Sequence, residues 1–219
     1  MHEINLESDL LASNEEIARE NKNIFDQHGI YVFNLMSAPG SGKTSLLEKT
    51  IPELKGRLRL AVIEGDIQST KDADRIKALG VEAFQINTGS LCHLDARMVH
   101  NSLHHFHLHG LDLLIIENVG NLVCPAEFDL GEDHRVMVYS VSEGNDKPKK
   151  YPLMFHRSHL ILINKTDLMS HTDFDIQKAR KDASDVNPKA DIIEISCKTG
   201  EGLDRWIEWL TTRIMMKKS

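Results

Sequence analysis

The sequence predicts a three-layer α/β protein: a mostly parallel central sheet of about seven strands with helices on both faces, plus an N-terminal helix. Three observations predict it. Short apolar runs alternate with helical stretches from Tyr31 onward, as in a parallel sheet buried on both faces. The first run leads into Ser37-Ala38-Pro39-Gly40-Ser41-Gly42-Lys43-Thr44, a glycine loop that opens a helix. The sixth run ends in Asn164-Lys165-Thr166-Asp167. Strand, glycine loop, Gly-Lys-Thr and helix together make the P-loop NTPase arrangement. Sheets of this kind take ligands beyond the C-terminal ends of their strands.

The elements follow in order. Ser13 with Glu16 three residues on resembles a capping box, and Gly29 sits where a C-terminal cap would be, so a helix is expected over Asn14–Gln27. Tyr31–Leu35 is the first strand and Ser45–Thr50 the helix after the loop. Further strands are expected at Arg59–Ile63, Val81–Ile86, Leu111–Ile116, Arg135–Ser140, His159–Ile163 and Asp191–Ile195. Each is a short apolar run rich in Val, Ile and Leu, the pattern of a buried strand. Helices are expected over Thr70–Leu79, Asp95–Phe106, Phe174–Val186 and Gly202–Met215.

The glycine loop carries a phosphate-binding chemistry. Gly40, Ser41 and Gly42 let backbone N–H groups curl around phosphate oxygens, and the new helix adds the partial positive charge of its N-terminus. Lys43 is expected to reach the β and γ phosphates, with Thr44 placed for Mg²⁺ and Ser45 beside it. One position departs from the pattern: Ser37 stands where its first glycine would be. Asp66 and Glu117 end apolar strands near the phosphates, so Thr44, Asp66 and Glu117 are the expected Mg²⁺ ligands, directly or through water. Asp72 either orients an attacking water or is a helix N-terminal charge. Gly120, three residues past Glu117, is the expected γ-phosphate sensor.

Asn164-Lys165-Thr166-Asp167 has the N-K-x-D pattern of guanine-binding GTPases. The Asp167 carboxylate can accept bonds from the guanine ring N–H and the exocyclic amine, which adenine lacks, so ATP would leave it unpaired. Ser196-Cys197-Lys198, after the seventh strand, is the expected last base-binding segment. The chain then divides into an N-terminal helical arm, 1–29, and a P-loop GTPase domain, 30–219, with GTP/GDP and Mg²⁺ as cofactors.

Composition narrows the class. A formal net charge of −7 without a dominant Lys/Arg block argues against a nucleic-acid surface. A polar, acidic N-terminus does not read as a signal peptide, and no apolar run approaches the ~20 residues that span a membrane, which points to a cytoplasmic protein. Three cysteines make a disulfide framework unexpected and favour metal binding or reactive thiols. Cys92-His93 and Cys124-Pro125 offer two thiolates and an imidazole, a donor set for Zn²⁺ or Ni²⁺, although buried free cysteines read the same way by spacing alone. Three ligands leave a tetrahedral site one short, which a second subunit could complete. His100, His104, His105, His107 and His109 read as a solvated helix end.

Gly89-Ser90-Leu91-Cys92-His93-Leu94-Asp95-Ala96 and Glu117-Asn118-Val119-Gly120-Asn121-Leu122-Val123-Cys124-Pro125, together with Asn164-Lys165-Thr166-Asp167, resemble the HypB family, SIMIBI-class GTPases that help insert nickel into [NiFe]-hydrogenase. The similarity runs from about Asn14 to the C-terminus. It implies a slow GTPase and metallochaperone, nucleotide-linked homodimerisation, a Ni²⁺ or Zn²⁺ site at Cys92, His93 and Cys124, and the hydrogenase large subunit and other maturation factors as partners. No cysteine precedes the phosphate loop, so a separate N-terminal metal site is not expected. The alternatives are a urease-type nickel accessory GTPase, a non-hydrolysing nucleotide-gated metal binder, and an ATP-dependent kinase, the last opposed by Asp167.

Overall fold

A computed structural model describes residues 6–66 and 71–218, with the side chains of 6–8 and 71–73 outside that description. The chain runs α1 (Leu6–His28), β1 (Tyr31–Ser37), α2 (Lys43–Leu54), β2 (Leu60–Asp66), α3 (Lys71–Lys77), β3 (Glu82–Asn87) and α4 (Ala96–Ser102). It continues through β4 (Leu113–Glu117), β5 (His134–Ser140), α5 (Lys147–Lys150), α6 (Pro152–Arg157), β6 (Leu160–Asn164), α7 (Ile176–Val186), β7 (Asp191–Glu194) and α8 (Leu203–Lys218).

The seven strands lie in the order β3-β2-β4-β1-β5-β6-β7, and every pairing among the described residues is parallel. The expected strands are all present within a few residues at each end. β1 is buried along its whole length between β4 and β5, where the winding direction reverses. That reversal opens the crevice in which such sheets bind ligands.

Alternation along β1 sorts the core. Tyr31, Phe33 and Leu35 pack under α2 and α8, with the Trp206 ring edge-on to Phe33 at 5.7 Å and its indole N–H donating to Thr50 Oγ1 at 2.8 Å. Val32 faces the other side, against Phe25 of α1 and Val99 of α4. Further along that same side, Met36 joins Tyr139, Phe155 and Ala179 below α6 and α7.

Three local expectations differ from the structure. Helix α1 begins at Leu6 and runs through Ser13, so the Ser13–Glu16 pair is an exposed part of its surface and not its cap. Leu10, Leu11 and Ala12 continue the helix without a break, and one interior serine costs only ~0.5 kcal/mol. Helices α5 and α6 occupy a stretch read as connection; each starts beside a proline, at Pro148 and Pro152, where a missing N–H costs nothing. The helix expected over Asp95–Phe106 has Asp95 as its cap, accepting from Met98 N–H at 2.7 Å, and tightens into a 3₁₀ turn at Leu103–His105.

At the opposite end of the sheet, His134 lies against Tyr31, His159 and Trp209 at ring separations of 5.6, 4.9 and 5.5 Å. Burial first, then the positive fields of His159 and Arg213, hold its imidazole down at about 4 against the pull of Asp133 and Asp191. The unfolded chain takes up this proton near pH 6.5 and the folded one does not. The stabilisation is therefore complete above about pH 6.5 and is lost as pH falls towards about 4. Melting temperature should drop less between pH 7 and 5 in His134→Phe than in the wild type; an identical drop would exclude His134 as its source.

Candidate nucleotide and metal sites

The phosphate loop hangs between β1 and α2. Gly42 caps α2 with φ 106°, a left-handed conformation that L side chains rarely adopt. A Cβ there would also stand 2.5 Å from Asn164 Nδ2. That amide donates to Ser41 O at 2.9 Å, so Asn164 ties the N-K-x-D turn to the glycine loop. Lys165 makes a second tie, its Nζ donating to Gly40 O at 2.7 Å. Lys165 is the one non-glycine at positive φ (65°) among the described residues. Such a conformation costs ~1 kcal/mol or more and persists where the surroundings impose it.

Lys43 Nζ donates to Ser37 Oγ at 3.1 Å, so the residue replacing the usual glycine lies beside the lysine. Thr44 Oγ1 donates to Glu117 Oε1 at 2.9 Å, which brings together two of the three expected Mg²⁺ ligands. Asp66 ends β2, and the register there sets Glu64 beside Glu117 on one face of the sheet. Glu64, 3% exposed, is a buried carboxylate that the sequence reading passed over; an acidic residue inside an apolar strand is itself the signal. Ser45 stands in the first turn of α2. Asp72 falls in the first turn of α3, and its side chain lies outside the described residues. Gly120 packs on the loop so closely that a Cβ would stand 2.9 Å from Pro39 Cα.

Beside the loop opens a cleft of ≈ 380 Å³ whose walls include Lys49, Asn164, Lys165, Asp167, Cys197 and Lys198. Asp167 Oδ1 accepts from Ser196 Oγ at 2.6 Å, and Lys198 Nζ lies 3.8 Å from its other oxygen. Cys197 N–H points at Asn164 Oδ1 at 3.3 Å, and burial pushes its thiol up to about 11. Glu143 was also missed: it accepts from Ser41 Oγ at 2.7 Å and Ser140 N–H at 2.8 Å, gripping the glycine loop from the end of β5. Its signal was the capping box Ser140-x-x-Glu143.

The thiols and the imidazole converge from separate loops. Cys92 precedes α4 and Cys124 follows β4, yet their sulfurs are 2.9 Å apart. The ligand atoms of Cys92, His93 and Cys124 all lie within 4.8 Å of one another. The His93 ring stacks on Phe128, centroids 4.0 Å apart, and burial lowers its proton affinity. Burial, then the neighbouring Cys92 thiol, pushes Cys124 up to about 11. Asn121 Nδ2 approaches Cys124 Sγ at 3.7 Å. Two sulfurs and an imidazole nitrogen in one cluster fit the donor set of Ni²⁺ or Zn²⁺. The His100–His109 stretch makes no comparable cluster among the described residues.

Residues 31–194 match the model of the CobW/HypB/UreG nucleotide-binding domain. The hydrogenase maturation factor HypB of Azotobacter chroococcum mcd 1 is 54% identical over 210 residues, spanning 94% of this chain and 68% of that one. The chain belongs to the HypB family. Its fold agrees: the crystal structure of the Archaeoglobus fulgidus hydrogenase maturation factor HypB superposes with a TM-score of 0.87 at 42% identity, covering 93% of this chain and 99% of that one. HypB from Helicobacter pylori, solved in complex with nickel, also superposes with a TM-score of 0.87, at 38% identity over 93% of this chain and 96% of its own. No described helix is long and apolar enough to cross a membrane.

Proposed function

We propose that this HypB-family chain is a GTP-hydrolysing metallochaperone that binds nickel, or zinc, at Cys92, His93 and Cys124 and assists nickel insertion during [NiFe]-hydrogenase maturation. The observation that carries the reading is the path from phosphate loop to thiolate. Glu117 accepts from Thr44, Gly120 touches Pro39, and Cys124 follows four residues later on the same segment. The nickel complex of the Helicobacter pylori relative supports the choice of cargo.

Each residue has a role in that reading. Thr44, Glu117 and Asp66 would hold Mg²⁺, with the Glu64 carboxyl group buried beside Glu117; the ion would supply positive charge to the phosphates. Lys43 and the N–H groups of Gly40–Ser45 neutralise the transferring phosphoryl group, and Gly120 reads its presence. Asn164, Lys165 and Asp167 hold guanine, with Ser196, Cys197 and Lys198 closing the cleft. Asp72 orients the attacking water. With no arginine assigned to the phosphates, turnover is slow, suiting a switch. Two cytoplasmic subunits close around GTP and complete each other's metal ligands, and the bound metal is handed to other maturation factors and the hydrogenase large subunit.

Nickel titration of the protein with GDP and with a GTP analogue tests this coupling. Nickel affinity should differ between the two forms by roughly five- to 150-fold, and nickel should shift nucleotide affinity by the same factor. Equal affinity and stoichiometry in both forms would sink the switch.

A further inference from the structure

We propose that helix α1 is a positioning element of the thiol–imidazole site: Asn14 and Asn21 staple the loop carrying Cys92 and His93 to the loop carrying Cys124. The inference rests on the metal reading of those three residues and extends it to a helix outside the matched nucleotide-binding domain.

The hydrogen bonds carry the argument. Asn14 Oδ1 accepts from Ala96 N–H at 2.8 Å while its Nδ2 donates to Asp129 O at 2.8 Å. Asn21 Nδ2 donates to Ala96 O at 2.9 Å and to Leu130 O at 3.1 Å, and its Oδ1 meets His100 Nδ1 at 2.9 Å. Asn14 thus has one arm on the start of α4 and the other on Asp129, and Asn21 bridges α4 and Leu130 through its Nδ2 while its Oδ1 meets His100. Ala96 comes three residues after His93, and Asp129 five residues after Cys124. No other side chain that is neutral offers a rigid donor and acceptor pair of this kind at this length.

The placement is built for the task. Asn14 and Asn21 are seven residues apart, two helical turns, and so lie on one face of α1. They are 7% and 0% exposed, too buried for solvation to explain two asparagines there. Ala18 lies between them, and the helix passes so near the Cys124 loop that a Cβ on Gly131 would stand 2.6 Å from Ala18 O. Leu94 N–H also donates to Asn118 Oδ1 at 3.0 Å, which ties the Cys92 loop to the end of β4. The two sulfurs on the loops so tied lie 2.9 Å apart. Outer residues that orient metal ligands typically contribute 10- to 100-fold in metal affinity.

The test uses the full chain, Ni²⁺ alone as probe, and four proteins: wild type, Asn14→Ala, Asn14→Asp and Cys124→Ala. Kd for Ni²⁺ and the thiolate-to-nickel charge-transfer absorption are read together, and GTP-analogue affinity reports the fold. Asn14→Ala should bind Ni²⁺ about tenfold more weakly, with less charge-transfer intensity per nickel and unchanged nucleotide affinity. Asn14→Asp keeps the acceptor for Ala96 but turns a carboxylate oxygen on Asp129 O, and should lose as much. Wild-type nickel affinity and spectrum in both Asn14 variants would overturn the staple, even if both melt earlier. Should Asn14→Ala not fold, Asn14→Ser keeps a hydroxyl for Ala96 and carries the same comparison. Undiminished nickel binding by Cys124→Ala would instead reject the ligand set itself, and the staple with it.

Discussion

Lys43→Ala should lower phosphate release from GTP by about 10²–10³-fold while the fold persists. The lysine opens α2 directly after Gly42, and its Nζ donates to Ser37 Oγ at 3.1 Å, within the loop that would cradle the phosphates. Charge on a transferring phosphoryl group is spread over its equatorial oxygens, and catalysis of that step is positioning plus charge stabilisation. Removing the Lys43 cation removes stabilisation that should grow toward the transition state, so the loss should fall mainly on kcat. The backbone N–H groups of the loop are untouched, and circular dichroism should match the wild type. Single-turnover phosphate release compared between the two proteins decides it. Normal turnover in the variant would remove the P-loop from the mechanism, and no phosphate release by the wild type would leave a nucleotide-gated metal binder.

The second large effect is a change of nucleotide. Asp167→Asn should weaken GTP by about a hundredfold, equivalent to ~3 kcal/mol for charge-assisted bonds lost to the base. The carboxylate is held in place: Ser196 Oγ donates to one oxygen at 2.6 Å, and Lys198 stands 3.8 Å from the other. An asparagine amide directs N–H toward the guanine donors and is repelled. Xanthine offers a carbonyl where guanine carries its amine, so xanthosine triphosphate should gain affinity in the variant. Competition binding with GTP, ATP and xanthosine triphosphate measures all three at once. ATP binding as tight as GTP to the wild type would take guanine selectivity away from Asp167.

How far the site could be read from sequence depends on the distance along the chain over which each contact forms. Ser37 to Thr44 are neighbours in the chain, so the strand–loop–helix that they form was legible from a run of eight residues. The same holds for the Asn164–Asp167 turn, although its hydrogen bonds to Ser41 and Gly40 span more than a hundred residues. Ser13 misled because a capping box is a local pattern, whereas α1 is anchored further on, where Ile24 and Phe25 pack against α4 and the sheet. Glu64 and Glu143 were passed over for different reasons. Glu64 matters only because strand register sets it beside Glu117, and Glu143 only because β5 ends next to the glycine loop.

By itself the sequence determined the class of sheet, the glycine loop that opens α2, the Asn164–Asp167 turn after β6 and the three soft donors that converge. Those follow from side-chain chemistry and short-range periodicity, which neighbouring residues settle among themselves. Only the tertiary structure decided that two sulfurs thirty-two residues apart would lie 2.9 Å from each other, with His93 stacked on Phe128. It also decided that two asparagines of the first helix would bridge the loops bearing them. Such contacts come from closing long loops, whose entropic cost rises only slowly with length. Burial of α1 and the sheet decides which closures form, and no local pattern records that choice.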